Sequence, residues 1–305
     1  MREVRVRRLR LDEIQRDPMF DAALNIWNET VAGSRIDVGI SGLAATCDPA
    51  TNLFHSDMNA NSVLDYRVKT LRQSFDLRQT RGEEIGNYPD ASYIDRVLAP
   101  NYTTAAAENV PIFRRIMTPM LGMIAVYEGI LLPYFDNSGR NALSLSRLLY
   151  LAEEAELAEP VTLSDRELLC LDHLAMGLPP KQIAFVLGVS TRTVEHIIER
   201  IKSKLQARNA AHAVAKGIFS LGLPSPSVRL NHKRNSLRTL SIRERQCLGL
   251  LTSGNSALSI AEALGLSVKT IDKHLKSARN KLSARNAVDL VARGAGAAVG
   301  SVADE

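Results

Sequence analysis

Residues Leu163–Gly217 occur again as Leu240–Gly294, at a constant offset of 77 positions and without a gap. Leu163-Ser164-x-Arg166-Glu167 returns as Leu240-Ser241-x-Arg243-Glu244. Leu187-Gly188-x-Ser190-x-x-Thr193 returns as Leu264-Gly265-x-Ser267-x-x-Thr270, and Lys204-Leu205-x-Ala207-Arg208-Asn209-Ala210 as Lys281-Leu282-x-Ala284-Arg285-Asn286-Ala287. Identity at 23 of 55 positions is too ordered for shared composition and marks a duplicated domain.

Each copy reads as a small helical unit. Ser164-x-x-Glu167 and Ser241-x-x-Glu244 are capping boxes ahead of apolar residues at helical spacing. Leu168, Leu171 and Leu174 point inward in the first copy, and Leu248 and Leu251 in the second. Gly177 and Gly254 end the first helix. A short second helix is expected over Lys181–Leu187 and Ala257–Leu264, then a glycine turn at Gly188 and Gly265. Ser190 and Ser267 cap a third helix that runs to about Leu205 and Leu282. A fourth spans about Asn209–Phe219 and Asn286–Ala298. Two short helices across a glycine turn, the second longer and polar, make the helix-turn-helix plan.

Landmark for landmark, both copies resemble the LuxR/FixJ-type helix-turn-helix. The resemblance covers about 110 residues and implies that the third helix of each copy enters the DNA major groove, with flanking hydroxyl and basic groups on phosphates. Carried over residue by residue, it points in the second copy to Ser267, Lys269 and Thr270 at the helix start and to Lys273, His274 and Lys276 in the groove and on the backbone. Arg279 and Lys281 extend that basic face. In the first copy it points to Lys181, Ser190, Arg192, Thr193, His196, Arg200, Lys202 and Lys204. The copies are not equivalent. The first has its histidine one place early, Ile197 where the family has histidine, and Glu199 at a basic position. A carboxylate facing phosphate is unfavourable unless it accepts from a cytosine amino group. The second copy is therefore expected to dominate DNA affinity.

Charge separates the chain into two halves. Residues 1–160 carry 17 Lys/Arg against 22 Asp/Glu, residues 161–305 carry 21 against 11, and the net +5 conceals this polarity. Basic charge on small helical domains is the electrostatic footprint of nucleic-acid binding. No run of about 18 apolar residues suggests a membrane span, and no signal peptide is visible. Cys170 and Cys247 hold the same slot in the two copies and read as small core residues. Cys47 stands alone, which leaves no disulfide framework and suits a reducing bacterial cytoplasm.

The N-terminal half is harder to read. Residues 1–32 are a basic segment and a helix. Arg2, Arg5, Arg7, Arg8 and Arg10 alternate with apolar residues, which suits an edge strand, a helical lead-in or a basic arm, and residues 19–32 place Phe20, Leu24 and Trp27 on one helical face. In residues 33–158, strands are expected over Leu53–Met58, Val63–Thr70, Pro111–Thr118, Met123–Phe135 and Ser144–Leu151. Leu71–Gln79 and Ala91–Asn109 are expected to be helical or partly so, broken by Pro89 and Pro100. Glu153–Glu159 suits a helix or an acidic linker. About five strands with helices between the second and third resemble a PAS fold, which implies dimerisation or a small ligand. His55, Tyr66, Tyr88, Tyr102, Phe113 and Tyr127 are the aromatic candidates for a pocket, although each is more simply read as core or surface.

The expected architecture is thus an α+β PAS-like domain followed by two all-α, four-helix LuxR-type domains over 161–219 and 240–298. A basic Pro/Ser linker spans 220–239, and a tail 299–305. No phosphate-binding glycine loop, metal-ligand spacing or paired-carboxylate motif points to an enzyme or a cofactor. The expected function is a bacterial transcription regulator with double-stranded promoter DNA as partner. Possible further partners are RNA polymerase or another regulator, and a homodimer is the expected assembly. A protein-interaction adaptor is the alternative.

Overall fold

The computed structural model describes residues 5–8, 18–31, 51–72, 84–120, 123–153, 161–223 and 237–300. Its contacts divide the chain into an N-terminal unit and a second, largely helical unit made of Gly122–Ile124 and Leu149–Ser301.

The N-terminal unit is built on one six-stranded sheet. Its strands are β1 (Arg5–Arg8), β2 (Thr51–Asp57), β3 (Arg67–Arg72), β4 (Ile112–Met120), β5 (Met123–Asp136) and β6 (Gly139–Glu153), in the order β1-β4-β5-β6-β2-β3. Helix α1 (Pro18–Val31) lies between β1 and β2 in the chain. Strands β2 to β6, with a helical stretch between β3 and β4, form the expected PAS-like antiparallel arrangement. The sixth strand covers Arg5–Arg8 of the basic N-terminal segment, while Arg2 and Arg10 lie outside the described residues. Arg5–Arg8 is an edge strand, paired antiparallel to β4 with Arg5 opposite Met117 and Arg8 opposite Arg114. Strand β2 pairs with both β3 and β6, with Leu53 opposite Leu145 on the β6 side.

Both faces of the sheet are covered, which explains the near-continuous apolar run in β5. Alternate residues serve opposite faces. Ile130, Leu132 and Tyr134 pack with Phe20 and Ala23 of α1, while Leu131 packs with Tyr66, Ile94 and Tyr102. Burying Phe20 fully contributes about 1.5–3 kcal/mol relative to exposure. Trp27 donates its indole N–H to the Pro133 carbonyl at 2.6 Å, which fixes α1 along β5. On the α1 face the buried Glu128 carboxylate is held between Arg115 of β4 and Arg147 of β6.

Several local expectations shift. Val63–Asp65 forms a 3-10 turn and not the start of a strand, because Ser62 Oγ accepts from the Leu64 N–H and caps it. Pro100 does not break its helix. The chain runs through Ala91–Tyr93 and a π turn over Ile94–Leu98 into α2 (Ala99–Glu108). The wider turn lets the Ala99 N–H reach the Ile94 carbonyl just before a residue with no N–H to give. Leu71 and Arg72 belong to β3 and Glu153 ends β6, so these residues are strand where a helix or linker was expected, and the rest of Leu71–Gln79 and Glu153–Glu159 lies outside the described residues. The candidate aromatics do not line one pocket. Phe113 packs with Phe20 on the α1 face, whereas Tyr66 and Tyr102 belong to the opposite core. Tyr127 pairs its hydroxyl with that of Tyr93. His55 meets the Tyr134 hydroxyl at 2.8 Å.

In the helical unit, the first copy comprises α3 (Asp165–Ala175), α4 (Pro180–Leu187), α5 (Thr191–Lys204) and α6 (Ala210–Leu221). The second comprises α7 (Ile242–Thr252), α8 (Ala257–Leu264), α9 (Val268–Lys281) and α10 (Ala287–Gly300). Both capping boxes form as read from the sequence, at Ser164/Glu167 and Ser241/Glu244. Cys170 and Cys247 are free and buried in their matching slots. The fourth helices of the two copies, α6 and α10, pack against each other, so that Ala292 and Ala295 of α10 join the core of the first copy beside Val214 and Ile218.

Candidate nucleic-acid interface

The third helices α5 and α9 are set up in the same way. Gly188 and Gly265 turn the chain at φ +63°, a left-handed conformation that glycine adopts without strain. Ser190 Oγ then accepts the Thr193 N–H at 3.1 Å, and Ser267 Oγ the Thr270 N–H at 3.1 Å. The serine and threonine hydroxyls also meet, at 2.9 Å and 2.8 Å, at the exposed start of each helix. One face of each helix is locked inward. Val194, Ile197, Ile198 and Ile201 are buried on α5, and Ile271 and Ala278 on α9.

The opposite face carries one exposed stripe at helical spacing. On α5 it consists of Arg192, Glu195, His196 and Glu199. The matching positions on α9 are Lys269, Asp272, Lys273 and Lys276. The helices therefore differ in two of four stripe positions by charge type, histidine against lysine and glutamate against lysine. Over their full lengths, α9 holds five Lys/Arg and one Asp, while α5 holds four Lys/Arg and two Glu.

The remaining basic groups of α5 are engaged within the domain. The Glu167 carboxylate, fully buried at the start of α3, receives Arg200 at 2.9 Å and Lys204 at 2.7 Å. Burial pushes this carboxyl up, but hydrogen bonds from Lys204, from the Ser164 N–H and from Arg200 outweigh it and bring it down to about 2. Lys202 pairs with Glu199 on the stripe itself at 2.8 Å. In the second copy Glu244 receives Lys281 at 2.7 Å, and Ser277 stands where the first copy has Arg200. Lys269, Lys273, Lys276 and Arg279 have no ion pair among the described residues. Lys181 is exposed near the start of α4, and Leu258, its counterpart on α8, is 59% exposed.

Residues 161–216 and 238–293 each match the family described as bacterial regulatory proteins, luxR family. Both helical domains are luxR-family domains. No curated protein matches the chain. Among solved structures, the Vibrio cholerae VqmA dimer in the absence of target DNA is similar at 16% identity, over 59% of this chain and 86% of that one, with a TM-score of 0.27. A phage VqmA–DPO complex is similar at 24% identity over 60% and 92%, TM-score 0.27. Escherichia coli SdiA is similar at 12% over 83% and 84%, TM-score 0.21.

Within these luxR-family domains fourteen of the sixteen sequence candidates fall into three groups, with the exposed Lys181 and the half-buried Arg279 outside them. Arg192, His196, Lys269, Lys273 and Lys276 share the exposed stripes, with Ser190, Thr193, Ser267 and Thr270 at the helix starts. Arg200, Lys202, Lys204 and Lys281 lie beside them but are tied to carboxylates. His274 stands apart: it is half-buried, and its counterpart Ile197 is a core residue 4% exposed, so this position faces the domain edge more than the stripe. Sequence reasoning missed Glu167 and Glu244 as anchors of the basic groups. The signal was present, since each closes a capping box 37 residues before the lysine it binds. Among the described residues, no group of three or more His, Cys, Asp or Glu could hold a metal ion, and no helix is long and apolar enough to cross a membrane.

Proposed function

We propose that the chain is a sequence-specific transcription regulator that reads promoter DNA with both luxR-family domains, the second supplying most of the affinity. The N-terminal PAS-like unit sets oligomeric state or responds to a signal. The observation that carries this reading is the exposed stripe Lys269, Lys273 and Lys276 on α9, set beside hydroxyl-bearing Ser267 and Thr270 at the helix start. Ammonium groups on one helical face, with a capped N-terminus leading, suit a groove lined by phosphate. On α5 the same face offers Arg192 and His196 but also Glu195 and Glu199, which favours base contact at few positions and weakens phosphate contact.

The test is a set of binding titrations across a salt series, with affinities compared at each fixed salt. Lys273→Ala with Lys276→Ala is expected to weaken operator binding roughly tenfold or more and to lower the salt slope by about 2. Arg192→Ala with His196→Ala is expected to cost less. Equal losses would remove the asymmetry.

A second reading has its own observation. Phe185 is 89% exposed on α4, where the second copy has Glu262, and Val186 beside it is 52% exposed. Such apolar exposure, with Glu195 and Glu199 near in sequence, favours a first copy that holds another protein. That reading predicts normal folding and no salt-sensitive DNA affinity for the chain.

A further inference from the structure

The two copies touch through the same patch on each. Asn209 Nδ2 donates to the Gly254 carbonyl at 3.0 Å, and Asn286 Nδ2 to the Gly177 carbonyl at 2.9 Å. Arg208 reaches the Ser253 carbonyl at 3.3 Å, and Arg285 the Met176 carbonyl at 3.5 Å. A Cβ on Gly254 would fall 2.7 Å from His212, and one on Gly177 would fall 2.8 Å from Asp289. In every pair the partners exchange under the offset of 77: residue i of the first copy meets j of the second, and j's counterpart meets i's. Only a twofold relation does this. A head-to-tail stacking would use one patch on the first copy and a different patch on the second.

We infer that the luxR-family domains form a pseudo-dimer within one chain, so that a single molecule reads two half-sites in inverted orientation and of unequal sequence. The inference rests on the proposed DNA reading and deepens it. Inversion follows from the twofold, which turns α5 into α9 and places the two stripes in opposite senses along a duplex. Inequality follows from the stripes, where His196 and Glu199 stand opposite Lys273 and Lys276 in the alignment. One chain per site follows because the α6 and α10 faces are consumed by each other. The tether raises their mutual effective concentration to about the millimolar range, beyond what a second chain supplies at ordinary dilution.

The experiment starts from full-length protein and a duplex library with a randomised centre. The expected winner contains two different half-sites in inverted orientation, and native mass measurement of the complex shows one chain per duplex. Two synthetic rearrangements of that winner follow, with the spacing varied over one helical turn. Reversing one half-site to make a direct repeat is expected to weaken binding at least tenfold. A duplex carrying the second-copy half-site alone is expected to bind the Asn209→Ala/Asn286→Ala variant as well as the native chain, whereas the variant loses affinity for the full site. Equal binding of direct and inverted arrangements, or two chains per duplex, overturns the inference and leaves the DNA reading standing. No enrichment of any sequence overturns the DNA reading itself.

Discussion

His212 stands where the second copy has Asp289, and both accept the N–H of the residue four positions before them. The Arg208 N–H reaches His212 Nδ1 at 3.2 Å, and the Arg285 N–H reaches Asp289 Oδ2 at 2.8 Å. A ring nitrogen accepts only when it carries no proton, so the fold needs a neutral imidazole. Burial, with Lys216 and Arg208 nearby, pushes its pKa down from 6.5 to about 4. The sign follows from linkage. Between pH 6.5 and 4 the unfolded chain binds a proton that the folded one refuses, so stability falls as pH falls through that window, by up to about 3 kcal/mol. Glu167 acts lower. Its carboxyl is held at about 2, and the stability it adds is present above the ordinary carboxylate range and is lost as pH falls towards 2. His212→Asn keeps an acceptor and removes the titration. Denaturant unfolding at pH 6.5 and pH 4.5 is expected to show a clear drop for the native chain and a much smaller one for the variant. An unchanged drop would mean that another group titrates.

At the scale of turns and helices, glycines in similar backbone conformations carry different loads. Gly265 has φ +63° and nothing within reach of an added Cβ, so Gly265→Ala pays left-handed strain alone, about 1 kcal/mol. Gly254 has φ +83° and a neighbour at 2.7 Å in His212 of the other copy. Gly254→Ala is expected to cost about 2–4 kcal/mol, since the seam must open as well. Thermal melts of the two variants side by side measure the difference, and equal shifts would show that the seam yields freely. The sequence made the helices of both copies legible because their signals are local: serine caps, a glutamate three residues on, and glycines after the last apolar residue. The sheet was legible in its alternation but less so in its limits. Strand β6 extends over Gly139–Glu153, beyond the expected Ser144–Leu151, because pairing with β2 and β5 decides where a strand stops. Pro100 was misread for a related reason. A π turn upstream changes which carbonyl needs a partner, and no residue type announces it.

At the scale of the whole molecule, the seam between the copies was not legible at all. Asn209 and Asn286 look like ordinary N-caps, and they are: each Oδ1 accepts the N–H three residues on. Their free amide groups then cross to the other copy, a second use that no spacing within one copy reveals. The stripe residues were legible as types, while their separation from the engaged Arg200, Lys202 and Lys204 needed the fold. Charge polarity was fully legible, and it carries a prediction of its own. The excess of 22 acidic over 17 basic residues in 1–160 opposes DNA approach, while the excess of 21 over 11 in 161–305 favours it. Such a field acts over a Debye length, about 30 Å at 0.01 M ionic strength and about 8 Å at 0.15 M. The 161–305 fragment is therefore expected to bind random-sequence duplex more tightly than the full chain at low salt. Raising the salt should close the gap, because the long-range repulsion is screened while both proteins keep the same short-range contacts. Titrations of both across a salt series measure it, and parallel lines on a logarithmic plot would show that the acidic half exerts no field on the DNA.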